Sequence, residues 1–566
     1  MSIDPVTTSV LGHAMNAVAK EMGVNLYQSA HSTIVREIRD IGTALFDAEG
    51  RTVAMANWIP MLSNALEPAI QAIKGHFDLR DIEPHEAFLT NDPFDGGQHV
   101  NDILLFTPIH VDGEVIGFSC ANVHHLDVGG GAPASNARAT DVFQEGIVFP
   151  PMKVDLSGDW TRSVFGSVLR SNIRVPDKTI PDFDAQIAAC RTGRRRVLEL
   201  VSKYGRETVI AFMHEIQAYS ERLARAAIAE IPDGDYEGSA FMEDDGSGNE
   251  GPHTIRATVR VRGDEMLVDF EGTVDQVPGF INVPLASTYS TVRTTTMSIL
   301  GIDIRFVNAG AFRPIRINAP LGSLLNPRRP AATRARTSTC YKIFDAVNYA
   351  LAPVLPDKVA APGFDAQTGA SFAHRTPDSM SIFSEALGAG NGGLLGQDGA
   401  DGMIMHLTNA ANTPVEAVEI EHPFLEMRHY RLVQDSGGLG RFRGGMGLER
   451  CFAILADDVN FGLHSDRHRH AAEGLFGGRA GFPGACLLER DGQVDVLGSK
   501  VHVTLHRGDL LTVRTGGGAG YGRVEERAVE EIERDLAEGR ISQAAAVDPA
   551  GYDLERRRAA ASASDV

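Results

Sequence analysis

Histidines and carboxylates gather at both ends of one stretch, DGGQHVNDILLFTPIHVDGEVIGFSCANVHHLD (95–127). His99 and Asp102 stand just before an apolar run, and His124, His125 and Asp127 follow a second one. Imidazole nitrogen with carboxylate oxygen is a donor set suited to zinc or manganese. Between the clusters, Ile103 to Ile109 and Val115 to Val123 are apolar and partly β-branched, with Asp112-Gly113 midway. An Asp-Gly pair supplies the positive φ angles of a two-residue hairpin turn. One-to-one antiparallel pairing then sets Asp102 opposite Val123, beside His124, with cross-strand Cβ atoms roughly 4.5–5.5 Å apart. His99 lies on a Gly96-Gly97 turn able to fold it back over the strand end. The pattern therefore predicts two imidazoles and a carboxylate within reach of one divalent ion. The alternative is that these are merely solvated strand ends.

Such groups need a frame. Residues 6–30 show helical spacing, and 41–55 read as a hairpin, with Asp40 immediately before its first strand. In the helical stretch 183–231, Val209, Phe212, Met213, Ile216, Tyr219 and Leu223 recur at three and four, a packing stripe. Pro232-Asp233-Gly234-Asp235 ends it. Beyond, Ile255, Ala257, Val259 and Val261 alternate with polar residues, as in a half-buried strand that turns into Met266, Val268 and Phe270. A helix is expected over 338–353, then short strands including 415–420, 429–434 and 501–505. A charged helix follows over 524–539, and the tail from Arg556 is expected to lack fixed structure. The fold class is α+β, multi-domain, with mixed and antiparallel β-sheets and a central helical region. The regions are 1–180 (α/β, carrying the metal-binding hairpin), 181–232 (helical), 233–380 (α+β), 381–523 (glycine-rich β) and 524–566 (helix and tail).

The 566 residues are 43% hydrophobic and 22% charged, with a net charge of −21, which argues against nucleic acid and anionic membranes as partners. No run approaches the ~18 apolar residues of a membrane span, and the first ten residues do not resemble a signal peptide. A cytoplasmic location is expected. The five cysteines form no CxxC pair, which suits a reducing compartment. Cys120 reads as core, and Cys340 as a nucleophile only if its surroundings activate it. Two glycine-rich segments, 515–522 and 436–447, read as structural turns. The first lacks the Lys-Ser/Thr ending of a phosphate loop, while Arg441 and Arg443 in the second could hold an anion. Neither an ATP site nor a nucleophile elbow is recognisable.

Several stretches taken together resemble the hydantoinase B/oxoprolinase family. They are NDPFDGGQHVND (91–102), NVHHLDVGG (122–130), FQEGIVFPPMK (143–153), NTPVEAVE (412–419), DSGGLGRFRGG (435–445), SDRHR (465–469) and GLFGGRAGFPG (474–484). The resemblance implies an ATP-dependent amidohydrolase acting on cyclic amides (hydantoin, oxoproline or lactam) as part of a hetero-oligomer. In that scheme ATP is used by a hydantoinase A-type partner, which phosphorylates the substrate, and this chain completes the hydrolysis with one divalent metal, zinc first and manganese as the alternative. It also implies the ligand set Asp40, His99, Asp102 and His124; Asp40 enters on the resemblance alone. His125 and Asp127 become candidates to orient a ligand or to accept a proton in catalysis. Gln98 stands where the family commonly has a small hydroxyl residue, and 129–134 departs from the usual run. Two alternatives remain: a subunit of an acetone or acetophenone carboxylase, and a scaffold with a structural metal.

Overall fold

Asp4 accepts hydrogen bonds from Val6 N (3.0 Å) and Thr7 N (2.9 Å), and Pro5 takes the first helical position. The N-terminal spacing thereby becomes one long helix, α1 (Pro5–Ser29). The computed structural model describes residues 4–56, 58–133, 136–364 and 368–564. The chain after α1 forms β1 (Ile41–Asp47), β2 (Thr52–Ala56), β3 (Glu86–Thr90), β4 (Asp102–Val111), β5 (Glu114–His124) and β6 (Met152–Asp155). These make one antiparallel sheet in the order β2-β1-β5-β4-β3-β6.

The β4–β5 hairpin turns at Asp112 (φ 52°) and Gly113 (φ 81°), both left-handed as a type I′ turn requires. The pairing is not the simple one-to-one register. It shifts between Ile109 and His110, so Asp102 lies opposite His124 itself rather than Val123. Pro108, which cannot donate to the ladder, stands beside the shift. The irregularity therefore tightens the cluster that the sequence predicts.

Helix α2 (Pro60–His76) covers one face of the sheet: Asn122 donates to Leu62 O (3.4 Å), and a Cβ on Gly42 would meet Ser63 N at 2.8 Å. On the other face lie α1 and α3 (Pro176–Tyr204), where Gln186 donates to Ile103 O (2.8 Å) and Ala121 O (2.9 Å). Gly205 (φ 85°) separates α3 from α4 (Arg206–Ala229), so the predicted helical stretch is two helices. Val209, Phe212, Met213 and Ile216 are buried as the stripe requires, while Tyr219 remains partly exposed and packs on Phe306.

A second, mixed sheet has the order β10-β9-β8-β7, from β7 (Gly234–Asp244), β8 (Glu250–Arg262), β9 (Glu265–Asp269) and β10 (Ile315–Asn318), the last pair parallel. Helix α5 (Leu285–Leu300) escapes the sequence reading because its run of Ser and Thr disfavours helix. Buried Thr291, Thr295 and Thr296 satisfy their hydroxyls on carbonyls one turn back. Helix α6 (Arg336–Leu351) lies where 338–353 was expected. It approaches β7 so closely that a Cβ on Gly238 would sit 2.1 Å from Ala346 O.

The chain divides into two units, the first holding Met1–Val354 with Arg375–Ser384 and His406–Ala410. The boundaries expected near 180 and 232 are thus junctions inside one unit, because α3 packs on the first sheet. The second unit holds Leu355–His374, Glu385–Met405 and Ala411–Val566. Four- and five-stranded sheets follow residue 367, and Val501–Leu505 is a strand as expected. Val415–Glu421, read as strand, is a short helix behind Pro414 with only Val418 buried. The tail also departs from expectation. Leu554–Ser564 is helical, anchored by buried Tyr552 and Leu554 and by Arg557, which donates to Arg527 O and Val524 O (both 2.8 Å). Among the described residues no helix is long and apolar enough to cross a membrane.

Candidate metal centre

His99, Asp102 and His124 converge at the open end of the β4–β5 hairpin, with one donor atom of each within 4.8 Å of the others. The loop before β4 is fixed by Gly97 N to Asp92 O (2.7 Å) and Asn91 Nδ2 to Val100 O (2.6 Å), which turns His99 back over the strand end. Its Nδ1 lies 2.9 Å from Asp102 Oδ2, yet is not aligned to hydrogen-bond with it and has no other partner among the described residues. His124 Nδ1 is 3.2 Å from Asp102 Oδ1 and 3.7 Å from Asp40 Oδ2. Asp40 precedes β1, and its carbonyl accepts His124 N (3.1 Å), so the fourth candidate joins from the neighbouring strand. All four are buried.

Burial and the nearby Arg336 guanidinium push His99 well below its usual value, leaving the imidazole neutral. Burial alone would raise Asp102; the Arg336 guanidinium at its Oδ2 and the His124 ring at its Oδ1 outweigh it and hold the carboxyl well below the usual range. Burial raises Asp40, against the pull of His124. A neutral imidazole nitrogen facing a carboxylate without bonding it suits a cation between them, and that donor chemistry fits zinc or manganese.

The other two predicted residues point elsewhere. His125 lies on the α3 face, its Nε2 3.1 Å from Gln186 Oε1 and its ring against Phe183. Asp127 is occupied by backbone N–H groups of Gly129 (3.0 Å), Arg174 and Val175 (3.2 Å), and so pins the start of α3. Cys120 and Cys340 are buried, and burial pushes the Cys120 thiol well up. Arg443 already holds Asp401 (2.7 Å) and Asp535 (3.3 Å), so its anions are the protein's own.

The structure adds groups that sequence reasoning missed. Arg336, at the start of α6, donates to Asp102 Oδ2 (2.6 Å) and to Ser287 Oγ (3.2 Å), and Gln98 also donates to Ser287 Oγ (3.3 Å). Glu145 accepts from Thr333 N (2.8 Å) and Arg334 N (2.7 Å), fixing the loop into α6. The available signal was two arginines at alternate positions among small residues in AATRARTSTC (331–340).

The hydantoinase B/oxoprolinase family model matches residues 4–524. The chain belongs to this family. Among its relatives, a putative D-/L-hydantoinase subunit of Pseudomonas sp. (strain NS671) is 33% identical, covering 98% of this chain and 95% of that one. The crystal structure of ATP-dependent caprolactamase from Pseudomonas jessenii superposes with a TM-score of 0.88 at 26% identity, covering 97% and 96% of the two chains. A nucleotide-free acetone carboxylase structure shares the fold, with a TM-score of 0.86 at 19% identity over 99% of this chain and 83% of that one.

Proposed function

We propose that this chain is the metal-bearing subunit of an ATP-dependent cyclic-amide hydrolase that opens hydantoin, oxoproline or lactam rings. The observation that carries the reading is the buried convergence of His99, Asp102 and His124 in a family whose named relatives include a hydantoinase subunit and a caprolactamase. Asp40, His99, Asp102 and His124 would hold the ion, zinc first and manganese as the alternative. Bound there, it would supply Lewis-acid activation of water and of the carbon under attack. His99 offers a neutral nitrogen, and Arg336 keeps Asp102 ionised and fixed in direction. His125 and Asp127 support the strand end and the α3 start from outside the cluster.

An unactivated amide is a poor electrophile, so a hydantoinase A-type partner would phosphorylate the substrate oxygen with ATP and pass the product to this chain. A labile intermediate favours a lasting complex. The test is ATP turnover by the co-purified complex against hydantoins, lactams, 5-oxoproline and ketones, with and without bicarbonate. Ring opening coupled to ATP hydrolysis without bicarbonate is expected, with no ATP hydrolysis by this chain alone. ATP turnover only with a ketone and bicarbonate would favour the carboxylase reading, which the shared fold of acetone carboxylase keeps in view.

A further inference from the structure

Arg334 is a buried cation whose guanidinium forms no ion pair with a carboxylate among the described residues. The residue is 8% exposed, and among the described residues no carboxylate oxygen lies within 4.0 Å of its guanidinium. Arg336, Arg443, Arg450 and Arg527, buried likewise, meet Asp102, Asp401, Glu385 and Asp535 respectively. The side chain of Arg334 donates to Asn101 Oδ1, and Asn101 directly precedes Asp102. Its backbone is held by Glu145, which accepts Arg334 N at 2.7 Å. The guanidinium is therefore fixed beside the metal cluster, where an unpaired buried charge is costly. Asp127, the other carboxylate nearby, is already matched by Arg174 at 3.3 Å. If a divalent ion balances Asp40 and Asp102 while Arg174 matches Asp127, Glu145 is the acidic neighbour that remains to Arg334 among the described residues. At least one of the positive charges of Arg334 and Arg336 is left over whether or not Glu145 is ionised.

We propose that Arg334 receives an anionic oxygen group of the ligand beside the metal centre. The planar guanidinium fork matches a carboxylate or a phosphoryl group with paired hydrogen bonds. The inference rests on the metal-centre reading above. The anion has two possible sources, a carboxylate carried by the cyclic amide or the phosphoryl group added by the partner. In either case Arg334 would orient the reacting carbon toward the metal cluster, which is a positional contribution.

The first arm is calorimetric titration of the full, metal-loaded chain with inorganic phosphate. Arg334→Gln is expected to weaken phosphate binding at least tenfold while metal content stays at the wild-type level. Arg334→Lys keeps the charge but loses the fork, and is expected to weaken it several-fold. Should Arg334→Gln not fold, the lysine variant carries the comparison.

The second arm uses the assembled complex with 5-oxoproline and with 2-pyrrolidinone, the same ring without the carboxylate. A tenfold rise in KM for 5-oxoproline alone identifies the carboxylate; a tenfold fall in kcat for both, at little-changed KM, identifies the phosphoryl group. Phosphate affinity and turnover of both rings unchanged in the variants would overturn the proposal. A wild-type chain that holds no metal would instead sink the metal-centre reading, and the phosphate comparison would still decide Arg334.

Discussion

Successive strand residues face opposite sides of a sheet, and that alternation alone separates His124 from His125. His124 turns to the cluster with Asp102, while His125 turns to Gln186 on α3. His125→Ala should therefore keep stoichiometric metal but lose about 1–3 kcal/mol of stability, because Gln186 Oε1 is left unpaired. Metal analysis beside thermal unfolding checks both parts, and loss of metal would return His125 to the site. Glu145 carries a pH prediction. Burial pushes its carboxyl up to about 7 despite the N–H groups of Arg334 and Thr333. A raised carboxyl contributes stability that is fully present below its unfolded value and lost as pH rises through the folded one. Wild type should thus lose roughly 3 kcal/mol relative to Glu145→Gln between about pH 4.5 and 7, read by denaturant unfolding of both across that range. A pH-independent difference would show that Glu145 stays ionised. Legibility at this scale followed locality. His99, Asp102 and His124 were readable because one hairpin joins them, whereas Ser287, Arg334 and Arg336 arrive from segments far along the chain and leave no local pattern.

At the scale of elements, turns and periodic strands were legible and close backbone approach was not. The shift at Ile109/His110 carries no sequence mark beyond Pro108, yet it sets Asp102 opposite His124. The glycine-rich segments proved structural, and the reason is contact rather than turning alone. A Cβ on Gly517 would lie 1.8 Å from Ser436 O, and one on Gly444 would lie 1.9 Å from Gly518 O. The two segments pack backbone to backbone, with no room for a side chain. Gly517→Ala or Gly444→Ala should cost about 3 kcal/mol or more by overpacking, seen as a lowered denaturant midpoint or loss of soluble protein. Gly75, exposed near the end of α2, has nothing within 4 Å of such a Cβ, so Gly75→Ala should gain about 0.5–1 kcal/mol. Equal effects at Gly75 and Gly517 would contradict this view of the packing.

At the scale of the whole molecule, the first unit alone contains the cluster, its two sheets and the segments bearing Arg334 and Arg336. The mixed α+β class and the family were legible because alternation, turn chemistry and several motifs agreed along the chain. The extent of the first unit was not, since α3, α5 and α6 join regions that periodicity reads as separate. Everything proposed for the site depends on a metal held by that unit. Elemental analysis of the purified wild-type chain beside His99→Ala and Asp102→Ala tests it most directly, with product formation by the assembled complex measured on the same preparations. Each substitution removes a donor and leaves a buried, poorly neutralised charge cluster. The expected result is close to one equivalent of zinc or manganese in wild type, with both metal and product lost in the two variants while ATP hydrolysis by the partner partly persists. A His99→Ala chain that keeps stoichiometric metal and normal product formation would contradict the metal centre.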